Sequence, residues 1–125
     1  MPTVLIVDDE ENHRRSLAIG LRLEDFDVHE AADGDEALRF METGGSADFA
    51  IIDLMMPGIN GLDLARRVRN HRPNVHVLLT SAYHLSERQI ERAGVGAVGF
   101  LPKPYHLDEL VRFLRRKLTE APAAQ

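Results

Sequence analysis

Five short apolar, β-branched runs recur along the chain, and each is followed by a stretch of helical periodicity. No other feature restricts the fold so tightly. The runs are Val4–Val7, a weaker one near Val28, Phe49–Ile52, Val75–Leu79 and Ala97–Leu101. The first, third and fourth are nearly continuous in apolar residues, the pattern of parallel strands covered on both faces. Strand–helix alternation at this spacing builds right-handed crossovers, and with them a parallel sheet carrying helices on both sides. The helical stretches carry their own punctuation. Asp33 is followed by Glu36, Asn60 by Asp63 and Ser86 by Gln89, each resembling an N-cap paired with a residue three positions on. In the last stretch Leu107, Leu110, Val111, Leu114 and Leu118 fall on one helical face. At 125 residues there is room for one core and no need of a second. The expected division is a single domain over residues 1–118, with 119–125 a flexible tail or the start of a linker.

Composition removes several classes of function. The chain has no cysteine, so disulfides and thiolate metal centres are out. A formal net charge of −5 disfavours direct nucleic-acid binding, because phosphate backbones demand an excess of Lys and Arg. Two basic groups, Arg66, Arg67, Arg69 and Arg72, and Arg112, Arg115, Arg116 and Lys117, sit towards the C-terminal ends of expected helices. There cations complement the helix dipole and form a solvated face. No apolar run reaches membrane-spanning length, and Met1-Pro2-Thr3 leads straight into a strand-like run without a basic and apolar leader. The expectation is a soluble, cytoplasmic protein without a membrane partner. No glycine-rich phosphate loop supports nucleotide binding, and Ser81 lacks the context of a hydrolase nucleophile. Six histidines, at 13, 29, 71, 76, 84 and 106, show no paired metal-ligand spacing and read as surface residues, with His84 and His106 near the rim of any site at the strand ends.

In a parallel sheet of this kind the working site lies beyond the carboxyl ends of the strands. Asp8, Asp9 and Glu10 follow the first run, Asp53 ends the third, Thr80-Ser81-Ala82 end the fourth, and the fifth leads into Pro102-Lys103-Pro104. Three aspartates, a hydroxyl and a lysine thus converge at one edge from across the sequence. Carboxylates about 5 Å apart repel by roughly 3 kcal/mol per pair at an effective dielectric near 20. Such a cluster needs protons, the lysine or a bound cation to offset it. All-oxygen ligands favour a hard ion, Mg²⁺ or Mn²⁺. A hard ion beside a lysine, a hydroxyl and a carboxylate suits the stabilisation of a transferring phosphoryl group.

The motifs Val7-Asp8-Asp9-Glu10, Asp53-Leu54-Met55-Met56-Pro57-Gly58-Ile59-Asn60-Gly61, Ser81-Ala82 and Phe100-Leu101-Pro102-Lys103-Pro104 resemble those of bacterial two-component response-regulator receiver domains over residues 3 to about 118. The spacing agrees as well: Asp53 lies 44 positions after Asp9, Ser81 28 further on, and Lys103 another 22. The resemblance implies a doubly wound, flavodoxin-like (βα)5 α/β fold with strand order 2-1-3-4-5. It implies that Asp53 accepts a phosphoryl group from a phosphohistidine on a sensor histidine kinase or histidine phosphotransfer protein. Asp9 and Asp53 would ligate Mg²⁺ through carboxylates, Met55 through its backbone carbonyl, and Asp8 through a metal-bound water. Lys103 would pair with the phosphoryl oxygens and Ser81 would donate its hydroxyl to one of them. Backbone amides of Leu54, Met55 and Ala82 would cradle the remainder, as exposed amides do for anions. The Lys103-Pro104 bond is expected to be cis.

A switch is implied too. Ser81 is drawn inward on phosphorylation, Phe100 swings into the space behind it, and the surface of the fourth helix, fifth strand and fifth helix changes. A fourth helix with few apolar anchors (Ile90, Ala93, Val95) and neighbouring Gly94, Gly96 and Gly99 is expected to be loosely held. The chain departs from the common pattern in Ser81 for threonine and Phe100 for tyrosine. Met55 and Tyr83 occupy positions that flank the path of hydrolytic water, which favours a long-lived phosphoryl group. The expectation is therefore a self-phosphorylating switch and not a turnover enzyme. A phosphotransferase acting on an external substrate would want an acid–base carboxylate two residues after Asp53, where Met55 stands. The alternative is a degenerate receiver serving only as an interaction module. The downstream partner and phosphorylation-dependent homodimerisation through the last helix stay open at this point.

Overall fold

The structure is a computed structural model that describes residues 1–82, 86–94 and 99–119. Among the described residues, five strands and five helices alternate: β1 (Thr3–Val7), α1 (Glu11–Leu23), β2 (Asp27–Ala31), α2 (Gly34–Glu42), β3 (Phe49–Asp53), α3 (Gly61–His71), β4 (His76–Ser81), α4 (Glu87–Ala93), β5 (Gly99–Pro102) and α5 (Leu107–Thr119). All strand pairs are parallel, in the order β2-β1-β3-β4-β5. This is the doubly wound α/β arrangement and the strand order that the resemblance implied. Of the expected fifth strand, Ala97 and Val98 lie outside the described residues, as do Tyr83, His84, Val95, Gly96 and the tail from Glu120.

The two-residue side-chain period of the central strands sorts the core into two layers. Leu5, Val7, Ala50, Ile52, Val77 and Leu79 face α2 and α3, where Ala37, Met41, Leu64, Ala65 and Val68 meet them. Val4, Ile6, Phe49, Ile51 and Leu78 face the other way, onto Leu17, Ala18 and Leu21 of α1 and Leu110, Val111 and Leu114 of α5. β1 and β3 are buried almost throughout, which is why they read as unbroken apolar runs. β2 read weakly because it is an edge strand, with Asp27, His29 and Glu30 exposed.

The expected caps divide. Asp33 accepts from the Glu36 amide at 2.8 Å, and Ser86 with Gln89 forms a full capping box. Asn60 caps α3 through the Leu62 amide at 2.7 Å, but Asp63 turns outward to Arg66 and does not reach back. On α5 the apolar stripe outruns the core, leaving Leu118 at 46% exposure.

Candidate functional site

Each strand delivers its terminal residue to the same edge because the sheet's hydrogen-bond ladder continues one step past the apolar runs. The Asp8 amide donates to the Ala31 carbonyl at 3.1 Å, Leu54 to Thr80 at 2.9 Å, and Lys103 to Ser81 at 2.8 Å. In register, Asp53 lies opposite Thr80, and Ser81 opposite Pro102. Asp8 and Asp53 are buried, Asp9 is exposed, and one carboxylate oxygen from each lies within 4.8 Å of the others. Lys103 Nζ stands 2.8 Å from Asp53 Oδ2 and 3.3 Å from Asp8 Oδ2. The Lys103–Pro104 bond is cis. Ser81 is 1% exposed at the end of β4, Ala82 follows it at the surface, and Phe100 packs half-buried against the α2–α3 side of the core.

The loop after Asp53 closes on itself tightly. Met55 donates its amide to Asp53 Oδ1 at 2.9 Å. Gly58 has φ +85°, a conformation that favours glycine, and a Cβ on Gly61 would sit 2.6 Å from Leu54 Cα and 2.8 Å from the Asp53 carbonyl oxygen. These two glycines let the loop turn back over the carboxylate. One expectation needs correction here. The Leu54 amide is spent on the Thr80 carbonyl in the sheet ladder, so it does not face an anion at the site; the Met55 amide does.

The charges are mutually dependent. Burial by itself raises the Asp8 carboxyl, but the Glu10 amide at 2.9 Å, His13 and Lys103 more than offset it and hold Asp8 below the usual carboxylate range. Burial pulls Lys103 down, and the Asp53 hydrogen bond with the charges of Asp8 and Asp53 pushes it above its ordinary value. Tyr105 is driven up, first by burial and then by the same two carboxylates. Three carboxylates facing one ammonium leave a deficit of positive charge. The donor set is oxygen throughout, two of the residues are anchored, and one is free to water. That combination fits a small divalent cation such as Mg²⁺.

Three residues of the site were not visible in the sequence. His13, read as a surface histidine, places Nδ1 2.7 Å from Asp8 Oδ2 and rests edge-on against Tyr105, with ring centroids 5.8 Å apart. Arg14, buried, donates Nη1 to the Asp8 carbonyl at 2.9 Å and Nε to Glu30 of β2 at 3.2 Å. A usable signal existed: helix side chains lean towards the helix N-terminus, so residues in the first turn of α1 overhang the Asp8 loop. The other described histidines do different work. His29 lies tilted against Phe40, His76 lies against Phe49, and His71 and His106 are exposed, while His84 lies outside the described residues.

Residues 4–115 match the family model of the response regulator receiver domain. Among curated proteins, the chain is 35% identical over 115 residues to the regulatory protein AtoC of Escherichia coli, covering 92% of this chain and 25% of AtoC. It is 36% identical over 118 residues to the sensory transduction protein RegX3 of Mycolicibacterium smegmatis, covering 94% of this chain and 51% of RegX3. The chain therefore spans a quarter to a half of the length of these relatives. Among solved structures, the response regulator protein TrrA of Thermotoga maritima, in complex with Mg²⁺ and BeF, aligns with a TM-score of 0.80 and 32% identity over 93% of this chain and 98% of that one. No described helix is long and apolar enough to cross a membrane.

Proposed function

This chain belongs to the response regulator receiver domain family, a family of phosphoacceptor signalling switches, and from that premise we propose that Asp53 is its phosphoacceptor. The observation that carries the reading is the meeting of Asp8, Asp9 and Asp53 within 4.8 Å, with Lys103 held 2.8 Å from Asp53. An Asp53 carboxylate oxygen attacks the phosphorus of a phosphohistidine on a sensor kinase or phosphotransfer protein. The P–N bond breaks, its electron pair returns to the donor imidazole, and that imidazole takes up a proton. Lys103 meets the negative charge of the arriving oxygens, the Met55 amide shifts from Asp53 Oδ1 to one of them, and the Ser81 hydroxyl takes another. Asp9 and Asp53, with the Met55 carbonyl, would hold Mg²⁺, and Asp8 would reach it through water. When bound, the ion neutralises phosphoryl charge. The TrrA complex supports this assignment, since a beryllium fluoride group is a chemical stand-in for a phosphoryl group.

Phosphorylation adds charge and acceptor oxygens at Asp53. Ser81 follows them inward, Phe100 takes the space behind it, and the surface of α4, β5 and α5 changes for a downstream partner. The domain acts on itself and turns over no external substrate. The degenerate alternative finds no support in the site, since Asp8, Asp9, Asp53, Ser81 and Lys103 all keep groups able to do this chemistry. The test is intact mass after incubation with acetyl phosphate, with and without Mg²⁺, for wild type and Asp53→Ala. One phosphoryl adduct that needs both Mg²⁺ and Asp53 is the expected result. An adduct that survives Asp53→Ala, or none under any condition, overturns the reading.

A further inference from the structure

The atoms of Asp8 are almost fully engaged before any cation arrives. Its amide donates to Ala31, and its carbonyl accepts from Arg14. A carboxylate offers about four lone-pair sites. Oδ1 accepts from the Glu10 amide at 2.9 Å. Oδ2 accepts from His13 Nδ1 at 2.7 Å and from Lys103 Nζ at 3.3 Å. A charged carboxylate can only accept, so His13 Nδ1 carries the proton in this contact. What Asp8 has left for a metal ion is a single direction on Oδ1.

The His13 contact also settles a competition. Lys103 sits close to two carboxylates, tightly on Asp53 and loosely on Asp8. Nothing in the charge of Asp8 prevents it from swinging onto the ammonium, where it would pair with Lys103 and withdraw from Asp9 and Asp53. The imidazole stands against that swing. It is shorter in its bond to Oδ2 than the lysine is, it belongs to a helix packed on the sheet through Leu17, Ala18 and Leu21, and Tyr105 buttresses its ring. Hydrogen bonds from outside the ligand shell commonly orient carboxylate ligands in this way.

We infer that His13 is a positioning residue for the divalent cation: its shorter bond fixes Asp8 Oδ2 and keeps the carboxylate from turning further onto Lys103, so that Oδ1 is presented to the water shell of an ion bound by Asp9 and Asp53. The inference rests on the metal site proposed above and extends it to a residue on α1. Its test is Mn²⁺ binding to the unphosphorylated full chain, read from the electron paramagnetic resonance signal of the free ion, which needs no phosphoryl transfer. His13→Leu removes the donor and is expected to weaken Mn²⁺ binding about tenfold. His13→Asn places an amide nitrogen where imidazole Nδ1 stands and is expected to restore binding to within about threefold of wild type. His13→Met is a second donorless variant, read in the same way should the leucine variant not fold. Equal binding by wild type and the donorless variants overturns the inference while leaving the metal site intact. Equal weakening in the leucine and asparagine variants overturns it as well, by assigning the effect to ring shape. Wild type that binds no Mn²⁺ defeats the metal reading itself, and the inference falls with it.

Discussion

The helices α1 and α4 both follow strands that end at the site, yet they are built in opposite ways. α1 buries Arg14, Leu17, Ala18 and Leu21, and its first turn reaches back to grip Asp8. α4 is 7 residues long, and Arg88, Gln89, Glu91 and Arg92 on it are all exposed; the side chains of Ile90 and Ala93 lie outside the described residues. α1 packs through four buried residues, whereas what the described residues of α4 show is a capping box at its start. The strands differ in the same sense: β1 is buried from Val4 to Val7, while β5 is only half-buried. Among the described residues, one side of the sheet carries the deeply packed elements and the other the more exposed ones.

The contrast can be broken from the α1 side with the largest effect. Leu21→Ala opens a cavity at a fully buried position and is expected to cost about 2–5 kcal/mol in urea unfolding. Gly61→Ala drives a Cβ into the backbone of Leu54 and Asp53, with an expected cost of about 1–3 kcal/mol and slower phosphorylation by acetyl phosphate. Ser86→Ala deletes the capping box and is expected to cost about 1 kcal/mol, seen as faster amide exchange in α4 with little change in α1. Protection in α4 equal to that in α1 would remove the contrast. Arg88→Ala, on the exposed face of α4, is expected to stay within about 0.5 kcal/mol of wild type.

A pH series sharpens the same comparison at the site. Burial lowers Lys103, but Asp53 and Asp8 raise it further, so its folded value stands above the ordinary 10.5. Stabilisation from that shift is complete below pH 10.5 and is lost as pH climbs through the folded value. The stability gap between wild type and Lys103→Met is therefore expected to hold up to pH 10.5 and shrink beyond it. Asp8 behaves in the opposite sense. Its folded value lies below 3.8, and its contribution is complete above that pH and lost as pH falls through the folded value. Equilibrium unfolding across both ranges checks the two signs.

Much of this molecule was legible from local pattern. The five apolar runs marked the strands, and the residues just after them marked the site, because parallel strands all bring their carboxyl ends to the same edge of the sheet. Asp8, Asp9, Asp53, Ser81 and Lys103 needed only their place in the alternation and their match to a family's spacing. The Leu54 amide was misjudged because a backbone donor at the end of a strand has two claimants, and pairing with β4 decided between them. Asp63 was misjudged similarly: a nearby Arg66 competed with the helix cap.

What the sequence determined by itself was the alternation, the identity of the converging groups and the excess of negative charge they create. These follow from residue type and from periods of two and 3.6, which are local properties. What only the tertiary structure decided was how the acidic groups are held: His13 on Asp8 Oδ2, Arg14 on its carbonyl, Tyr105 behind the imidazole, and Lys103 shared unequally between two carboxylates. Those contacts depend on how far α1 is rotated about its axis and how closely it packs on β1 and α5. Both are set by Leu17, Ala18 and Leu21 finding their places in the core; the lean of the first-turn side chains hints at the overhang, but only the packing fixes which atoms meet.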